Sequence, residues 1–454
     1  MRKVHFIAIG GQGMSGIARI LIDKGFEVSG SDLKAGAATE RLQALGARVF
    51  IGHRRENIDD PDIVIVSSAI SEDNPEVEEA RRRGIPVVHR MDMLLDAING
   101  KKIIGVAGAH GKTTTSAMIA WILEQSGAEP TYLVGGEFGY GGNARLGNGA
   151  YAVVETDESD GSFLKCRPQI SVVTNIDNDH LDFWGSLESL EDAFYSYLEH
   201  TGPGGLRIVC TDNELLRNWA LGKQDVVSYG VQHKATWQAV NIVEKGWHIG
   251  CQVSYMGTQV ADIKLDLPGI YNLQNALGAV ATAVSAGIDL QDACNHIGSF
   301  PGVKRRLERI GEYGGVLVLD DFAHHPNEIV AALGAIRKAL FDSRVVVLFQ
   351  PHRYSRTRLL HHSFGSAFRE ADVVIVTRIY TGPGEREDSD VDSDSIKRAI
   401  QDAGHQCVYK VDGMKEASLM AANLCRKGDT VVTMGAGDIW KTHHILSGLL
   451  GRLE

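Results

Sequence analysis

Hydrophobic positions fall along this chain in two alternating rhythms: short β-branched runs, and longer stretches whose apolar residues recur at helical spacing. Over the first hundred residues the pattern predicts a strand at 4–9, a helix from about Met14 to Lys24 and a strand near Phe26–Gly30. Strand-like Asp62–Val66 and Val87–Val88 follow. That rhythm predicts a parallel sheet wrapped by helices. A polar break at Asn99-Gly100-Lys101-Lys102 precedes a restart at Ile103–Val106, a glycine-containing turn and the apolar helix Thr114–Leu123, which places a domain boundary near residue 100. Further strands are expected at Tyr151–Glu155 and Ile170–Thr174. From about Val226 to Leu267 polar and apolar residues alternate, the period-two pattern of antiparallel strands wet on one face. After Pro301-Gly302 and Arg305-Arg306 a third block predicts strands at Val316–Leu319, Val345–Phe349, Val373–Val376 and Thr430–Met434. The fold class is α/β in three consecutive domains, 1–100, 101–306 and 307–454.

Composition agrees with this map. At 454 residues the chain exceeds what one hydrophobic core organises, and 44% hydrophobic against 23% charged residues supplies ample core. Fifty-one glycines against 11 prolines suit many tight strand-to-helix turns. The six cysteines stand far apart with no CxxC pair, which predicts a reduced, cytoplasmic setting and no zinc site. The opening segment lacks the apolar stretch and cleavage site of a signal peptide, and no apolar run reaches the ~20 residues of a membrane helix. A net charge of −11 argues against general binding to nucleic acid, so an anionic ligand must be met by locally concentrated cations.

The strongest local signal is Gly108-Ala109-His110-Gly111-Lys112-Thr113-Thr114, after a strand and before a helix, where main-chain N–H groups and the helix dipole cradle phosphates. Lys112 is expected on the β- and γ-phosphates and the Thr113 hydroxyl on Mg²⁺. The usual spacing puts another glycine where Val106 stands, so this loop is a shortened variant. Gly11-Gln12-Gly13-Met14-Ser15-Gly16 fills the first strand-to-helix turn, with Asp32 at the end of the second strand, the layout of a dinucleotide fingerprint. That layout leaves open a nicotinamide dinucleotide, a nucleotide sugar, or glycines that only pack helix on strand.

Glu155 and His180 follow strands of the same sheet as the phosphate loop, where ligands bind in open α/β sheets. A carboxylate and an imidazole there suit metal on either side of a transferring phosphoryl group, although a solvated acid and a structural histidine fit position alone as well. In the third block, Asp320–Pro326 and Gln350–Arg358 directly follow strands, and the latter holds His352, Arg353, Arg356 and Arg358 within seven residues. Guanidinium groups grip carboxylate and phosphate bidentately. Gly435-Ala436-Gly437-Asp438 is a further turn of this kind, or a packing turn.

Together these segments resemble the Mur ligase family over nearly the whole chain. The resemblance is carried by His5–Gly11 with Gly13–Gly16, Gly108–Thr115, Asp157-Glu158-Ser159-Asp160, Thr174-Asn175 with Asp179-His180, and Pro268-Gly269 with Asn272 and Asn275. Arg305-Arg306, Asp321 with His324-His325-Pro326, and Phe349–Arg353 complete it. It implies a Rossmann-like N-terminal domain binding the UDP-sugar, a central phosphate-loop ATPase α/β domain with appended antiparallel strands, and a C-terminal Rossmann-like domain that brings the amino acid and closes over ATP. Gly11, Gly13, Met14, Ser15, Asp32, Ser67 and Ser68 are assigned to the UDP-sugar. The loop Gly108–Thr114 with Asn272, Arg306 and Asp321 is assigned to ATP, and Thr113, Glu155 and His180 to Mg²⁺, for which Mn²⁺ substitutes. His352, Arg353 and Arg356 are assigned to the amino acid, and Lys112, Glu155, His180 and Arg306 form the catalytic set.

Within the family the likeness is to the alanine-adding branch. It implies an ATP-dependent amide ligase of peptidoglycan precursor synthesis with UDP-N-acetylmuramate and L-alanine as substrates, working in the cytoplasm as monomer or homodimer without nucleic-acid or membrane partners. Tyr271 stands where relatives often carry His, which predicts stacking in place of a hydrogen bond. No lysine lies between Lys165 and Lys223, so no carbamylated lysine is expected. Three rival readings are a sister ligase adding a preformed tripeptide in wall recycling, a nicotinamide oxidoreductase, and an ATP-driven switch protein.

Overall fold

The computed structural model describes residues 2–452 apart from Tyr140, Gly141, Pro383, Gly384, Arg386 and Ser389. Three sheets follow one another along the chain. The first has five parallel strands, β1 Lys3–Ile7, β2 Glu27–Asp32, β3 Arg48–Ile51, β4 Ile63–Val66 and β5 Val87–His89, in the order 3-2-1-4-5. Chain direction across the sheet reverses between β1 and β4, so the turn after β1 opens into the crevice at the switch point.

The second sheet holds ten strands, β6 Lys102–Ala107, β7 Thr131–Phe138, β8 Gly142–Arg145, β9 Tyr151–Glu155, β10 Ile170–Val173, β11 Leu206–Cys210, β12 Val226–Gly230, β13 Trp237–Lys245, β14 His248–Tyr255 and β15 Thr258–Leu265. Their order is 15-14-13-12-11-10-6-9-7-8, with β6 between β10 and β9 and parallel to both. The loop after β6 therefore also lies at a switch point. The expected antiparallel region needs one correction: β12 runs parallel to β11, and β13 runs parallel to β12. Only the two-residue links β13–β14 and β14–β15 impose antiparallel hairpins. Alternation reports one wet face, and the direction of pairing is left to the connections.

The third sheet contains β16 Glu308–Tyr313, β17 Val316–Asp321, β18 Val345–Phe349, β19 Val373–Val376, β20 Val408–Lys410 and β21 Thr430–Met434, in the order 16-17-21-18-19-20. It is parallel except for the hairpin of β16 and β17. Val345, Val347 and Phe349 enter one core with Ile329 and Phe364, while Val346 and Leu348 enter another with Ile439 and Leu446. Both faces are buried, which explains why β18 reads as an unbroken apolar run.

Packing divides the molecule into two compact units. One takes in the chain up to Asn241 together with Gln252–Ile263 and Gln274–Pro301. The other takes in Ile242–Cys251, Lys264–Leu273 and the chain from Gly302 onward. In the first unit the helix Gln12–Asp23 shares a core with Leu133, Ala144, Ala152 and Val154 of the second sheet. A Cβ on Gly16 would stand 2.3 Å from Leu133 Cδ1 and 3.1 Å from Ala144 Cβ, so a larger residue there would have to displace the Leu133 side chain. Glu76, at the start of the helix Pro75–Arg82, is wholly buried. It accepts from Ser31 Oγ at 2.6 Å and Arg54 N at 3.1 Å, and lies 3.2 Å from His5 Nε2. Burial works against this charge, but the donors His5, His53, Ser31 and Asn57 outweigh it and hold the carboxyl far below the usual carboxylate range. Among the described residues no helix is long and apolar enough to cross a membrane.

Candidate active site

The turn after β6 commits the amides of Ala109 and His110 to Asn175 and leaves those of the helix start that follows to a ligand. Gly111 caps the helix Lys112–Gln125 in the left-handed conformation, φ 80°, and offers no side chain to the first turn, whose N–H groups have no partner within the helix. A Cβ on Gly108 would meet Thr174 Oγ1 at 2.1 Å, and one on Gly111 would meet Asn275 Oδ1 at 2.6 Å. The loop after β10 holds this turn in shape. Asn175 Oδ1 accepts from His110 N at 2.8 Å, Asn175 Nδ2 donates to His110 O at 2.9 Å, and His110 Nε2 lies 2.9 Å from Asp177 Oδ2.

Lys112 Nζ donates to Gly108 O at 2.6 Å and Ala109 O at 3.3 Å, and pairs with Glu158 Oε1 at 2.8 Å. Burial alone would lower this ammonium's pKa. The carboxylates of Glu158, Asp157 and Glu155 overcome that and raise it, so Lys112 stays a cation. Glu155, at the end of β9, accepts from Thr113 Oγ1 at 2.9 Å and from the Gly135 amide. Burial raises its pKa against the pull of Lys112. Glu158 is 1% exposed in its side chain, and burial pushes it up to about 7 in spite of Lys112. Its Oε2 makes no hydrogen bond. His180, held at φ 56°, brings Nε2 to 4.0 Å from Glu158 Oε1 and 3.6 Å from Asp179 Oδ2. Asp157, Glu158 and His180 offer ligand atoms all within 4.8 Å of one another. Thr113 with Glu155 forms one oxygen-rich place for a hard cation, and the Asp157, Glu158 and His180 group forms another.

In the first sheet, the helix start at Gln12 likewise has a glycine cap without a side-chain hydrogen bond. Gly11 N is taken by Ala8 O at 3.1 Å. Met14, assigned to the UDP-sugar, buries its side chain in the core at 2% exposure, which leaves only its main chain for a ligand. Asp32 Oδ2 accepts from Gly10 N at 2.9 Å and thereby fixes the turn. Ser68 Oγ donates to Asp160 Oδ2 at 2.7 Å and lies 3.0 Å from His89 Nε2, while Arg90 Nη2 reaches the same Asp160 oxygen at 3.3 Å. This ties the edge of the first sheet to the acidic loop after β9.

In the second unit, Asp321, His352 and Gly435 follow the adjacent parallel strands β17, β18 and β21. Asp321 is buried and accepts from Leu307 N and Ala323 N, each at 2.8 Å; burial raises it to about 6 against the attraction of Arg306. Arg305 and Arg306 both lie over the Phe322 ring, 4.9 Å from its centroid. Asn272 Nδ2 donates to Pro268 O at 2.8 Å. Tyr271 is half-buried near Asp321 and Arg306, and a Cβ on Gly269, φ 99°, would press on its ring at 2.7 Å. The His352 ring stacks on Tyr380, 5.6 Å between centroids, and its Nδ1 lies 3.4 Å from Arg356 Nη1. Burial first, then His324, Arg356 and Arg353, depress His352 to about 3, so it is neutral. Arg353, at φ 68°, donates its N–H to Tyr380 O at 2.9 Å. Glu385 accepts from the amides of Tyr354 at 3.1 Å and Ser355 at 3.0 Å, capping the helix Tyr354–Ala367.

Family models for the three parts of one enzyme match this chain in order: the Mur ligase catalytic domain over residues 3–102, the middle domain over 106–283 and the glutamate ligase domain over 305–437. This chain belongs to the Mur ligase family. A curated relative, the UDP-N-acetylmuramate–L-alanine ligase of Desulfosudis oleivorans, is 44% identical over 448 residues, 98% of either chain. Among solved structures, the UDP-N-acetylmuramate–alanine ligase of Thermotoga maritima superposes with a TM-score of 0.85 at 30% identity, covering 99% of both chains. The murein peptide ligase of Psychrobacter arcticus superposes at 0.74 with 24% identity over the full length of both, a likeness of fold.

In this Mur ligase the structure gathers Lys112, Thr113, Glu155 and His180 around one turn, as the sequence predicted of their strand ends. The pairing of Lys112 with Glu158 and the clamp from Asn175 are additional. Both residues lay in segments that carried the family resemblance, but spacing gives no sign of a partner 46 or 65 positions away.

Proposed function

We propose that this Mur ligase uses ATP to join L-alanine to the carboxylate of UDP-N-acetylmuramate, releasing ADP and phosphate. The observation that carries the reading is the glycine-capped helix start at Lys112 with Thr113, Glu155 and His180 around it, in a chain 44% identical to an alanine-adding enzyme. A carboxylate resists attack by an amine. Its oxygen therefore attacks the γ-phosphorus, the bond to the β-phosphate oxygen breaks, and ADP leaves an acyl phosphate. The amine of alanine then adds to that carbonyl, the tetrahedral oxyanion collapses, and inorganic phosphate departs as the amide forms. Every stage concentrates negative charge, so the task of the protein is preorganised positive charge.

In this reading Lys112, the loop Gly108–Thr114 through its amides at Gly111–Thr114, and Arg306 hold phosphate oxygens, with Asn272 and Asp321 serving the nucleoside. Thr113 with Glu155, and His180 in its acidic cluster, fit Mg²⁺ or Mn²⁺, and the buried Glu158 oxygen without a hydrogen bond supports a cation there. When bound, the metal neutralises charge on the transferring phosphoryl group. Main-chain amides at Gly13 and Met14, with the hydroxyls of Ser15, Ser67 and Ser68, take the UDP-sugar; Arg353 and Arg356 take the carboxylate of the amino acid. In this reading domains over 1–100, 101–306 and 307–454 serve the UDP-sugar, ATP and the amino acid, with Asp321 of the third sheet serving the nucleoside as well. Cys166, Cys210, Cys294, Cys407 and Cys425 are free thiols, as in a reducing compartment, which supports a cytoplasmic reaction.

The test is to incubate the protein with ATP, Mg²⁺ and UDP-N-acetylmuramate, add single amino acids or the preformed tripeptide, and weigh the products. A mass gain of one alanine residue with equimolar phosphate is expected; a product formed only with tripeptide sinks the reading.

A further inference from the structure

The Lys112 ammonium has three hydrogens, and its neighbours Gly108 O, Glu158 Oε1 and Ala109 O take all three. A phosphate oxygen that reaches Lys112 must displace one of them. The two carbonyls belong to the turn that shapes the cradle, whereas Glu158 is a side chain that a rotamer change releases. Once released, its carboxylate remains in a place of 1% exposure, and an uncompensated charge there is costly. The nearest replacement lies on the same loop system: Glu158 Oε2 is buried without a hydrogen bond, and Asp157 and His180 bring ligand atoms within 4.8 Å.

We propose that Glu158 is an exchangeable counter-charge, paired with Lys112 until the nucleotide phosphates take the ammonium, and then a ligand to a divalent cation shared with His180 and Asp157. This rests on the ligase reading above. Two sites are thereby coupled. Phosphate cannot gain Lys112 without freeing Glu158, and a cation that holds Glu158 leaves Lys112 to phosphate. By reciprocity, metal tightens nucleotide by the same factor as nucleotide tightens metal.

The experiment compares the full-length protein with Glu158→Gln. Binding of a non-hydrolysable ATP analogue is measured by calorimetry in chelator and again with Mn²⁺, and bound Mn²⁺ is followed by electron paramagnetic resonance. In the variant the metal-free analogue binds more tightly, because no carboxylate competes for Lys112. Mn²⁺ in the ternary complex binds about tenfold more weakly, the scale of losing one supporting group at a metal site. The Mn²⁺-induced tightening of the analogue shrinks accordingly. Should Glu158→Gln fail to fold, Glu158→Asp, which retracts the carboxylate by one methylene, gives both shifts in smaller measure. Equal Mn²⁺-induced tightening in wild type and variant overturns the proposal. Wild type that binds neither analogue nor Mn²⁺ sinks the ligase reading along with it.

Discussion

Asn175 grips His110 by both of its main-chain groups, accepting from the N–H at 2.8 Å and donating to the carbonyl at 2.9 Å. One amide side chain therefore sets the curvature of the shortened phosphate loop. Replacing Asn175 with alanine removes both bonds and leaves partly buried main-chain groups without partners, a loss of about 1–3 kcal/mol at the loop. The KM for ATP is expected to rise by roughly tenfold or more, that being the energy scale of one such bond. The dissociation constant of the UDP-sugar, measured separately by calorimetry, is expected to stay within error.

Lys112→Ala removes the only ammonium hydrogen-bonded to the Gly108 and Ala109 carbonyls among the described residues. Turnover is expected to fall by about 10²–10³ or more, the scale of deleting one donor aimed at developing charge. Binding of the UDP-sugar is expected to persist, because it is assigned to the first sheet. A loss of sugar affinity as severe as the loss of rate refutes that division.

Arg353 stands at the start of the helix Tyr354–Ala367 with its main chain tied to Tyr380. Glu385 already satisfies the amides of that helix start, so substitution of Arg353 by alanine leaves the local backbone supported. The KM for the amino acid is expected to rise far more than the KM for ATP in initial-rate assays. Equal rises remove the role.

Glu76 provides a pH-dependent prediction away from the chemistry. Its carboxyl is held far below the ordinary range in the folded protein, so it contributes stability above the unfolded carboxylate pKa of about 4.3 and loses it as pH falls towards the folded value. At neutral pH, Glu76→Ala is expected to cost about 3–5 kcal/mol, as for breaking a buried pair. The difference in thermal midpoint between wild type and Glu76→Gln is expected to be constant from pH 5 upward and to narrow below about pH 4. A difference that widens on acidification contradicts the assignment.

Much of this was legible in the sequence because parallel sheets write themselves as unbroken apolar runs and place ligand residues at strand ends. Strands β9, β18, β19 and β21 fall where the pattern put them, and Lys112, Glu155 and His180 follow strands of one sheet. The edge strand Val87–His89 was legible, but three others were not. Arg48–Ile51, Glu308–Tyr313 and Val408–Lys410 mix charged with apolar residues, which leaves no clear period. Local pattern also could not tell main chain from side chain. Met14 sits in the phosphate-like turn yet commits its side chain to the core, and Asp32 turns inward to Gly10. Tyr271 reads as a substitution in a motif, and its partial burial against Gly269 appears only in three dimensions.

The close approach of Gly16 to Leu133 bears on how such enzymes can be recombined. The front sheet is not a detachable cassette, because its first helix and the β7–β8 hairpin interdigitate atom against atom. A chimera that trades residues 1–100 for those of a relative inherits a mismatched seam unless the hairpin travels with them, so the front sheet is transplanted only as a pair of segments distant in sequence.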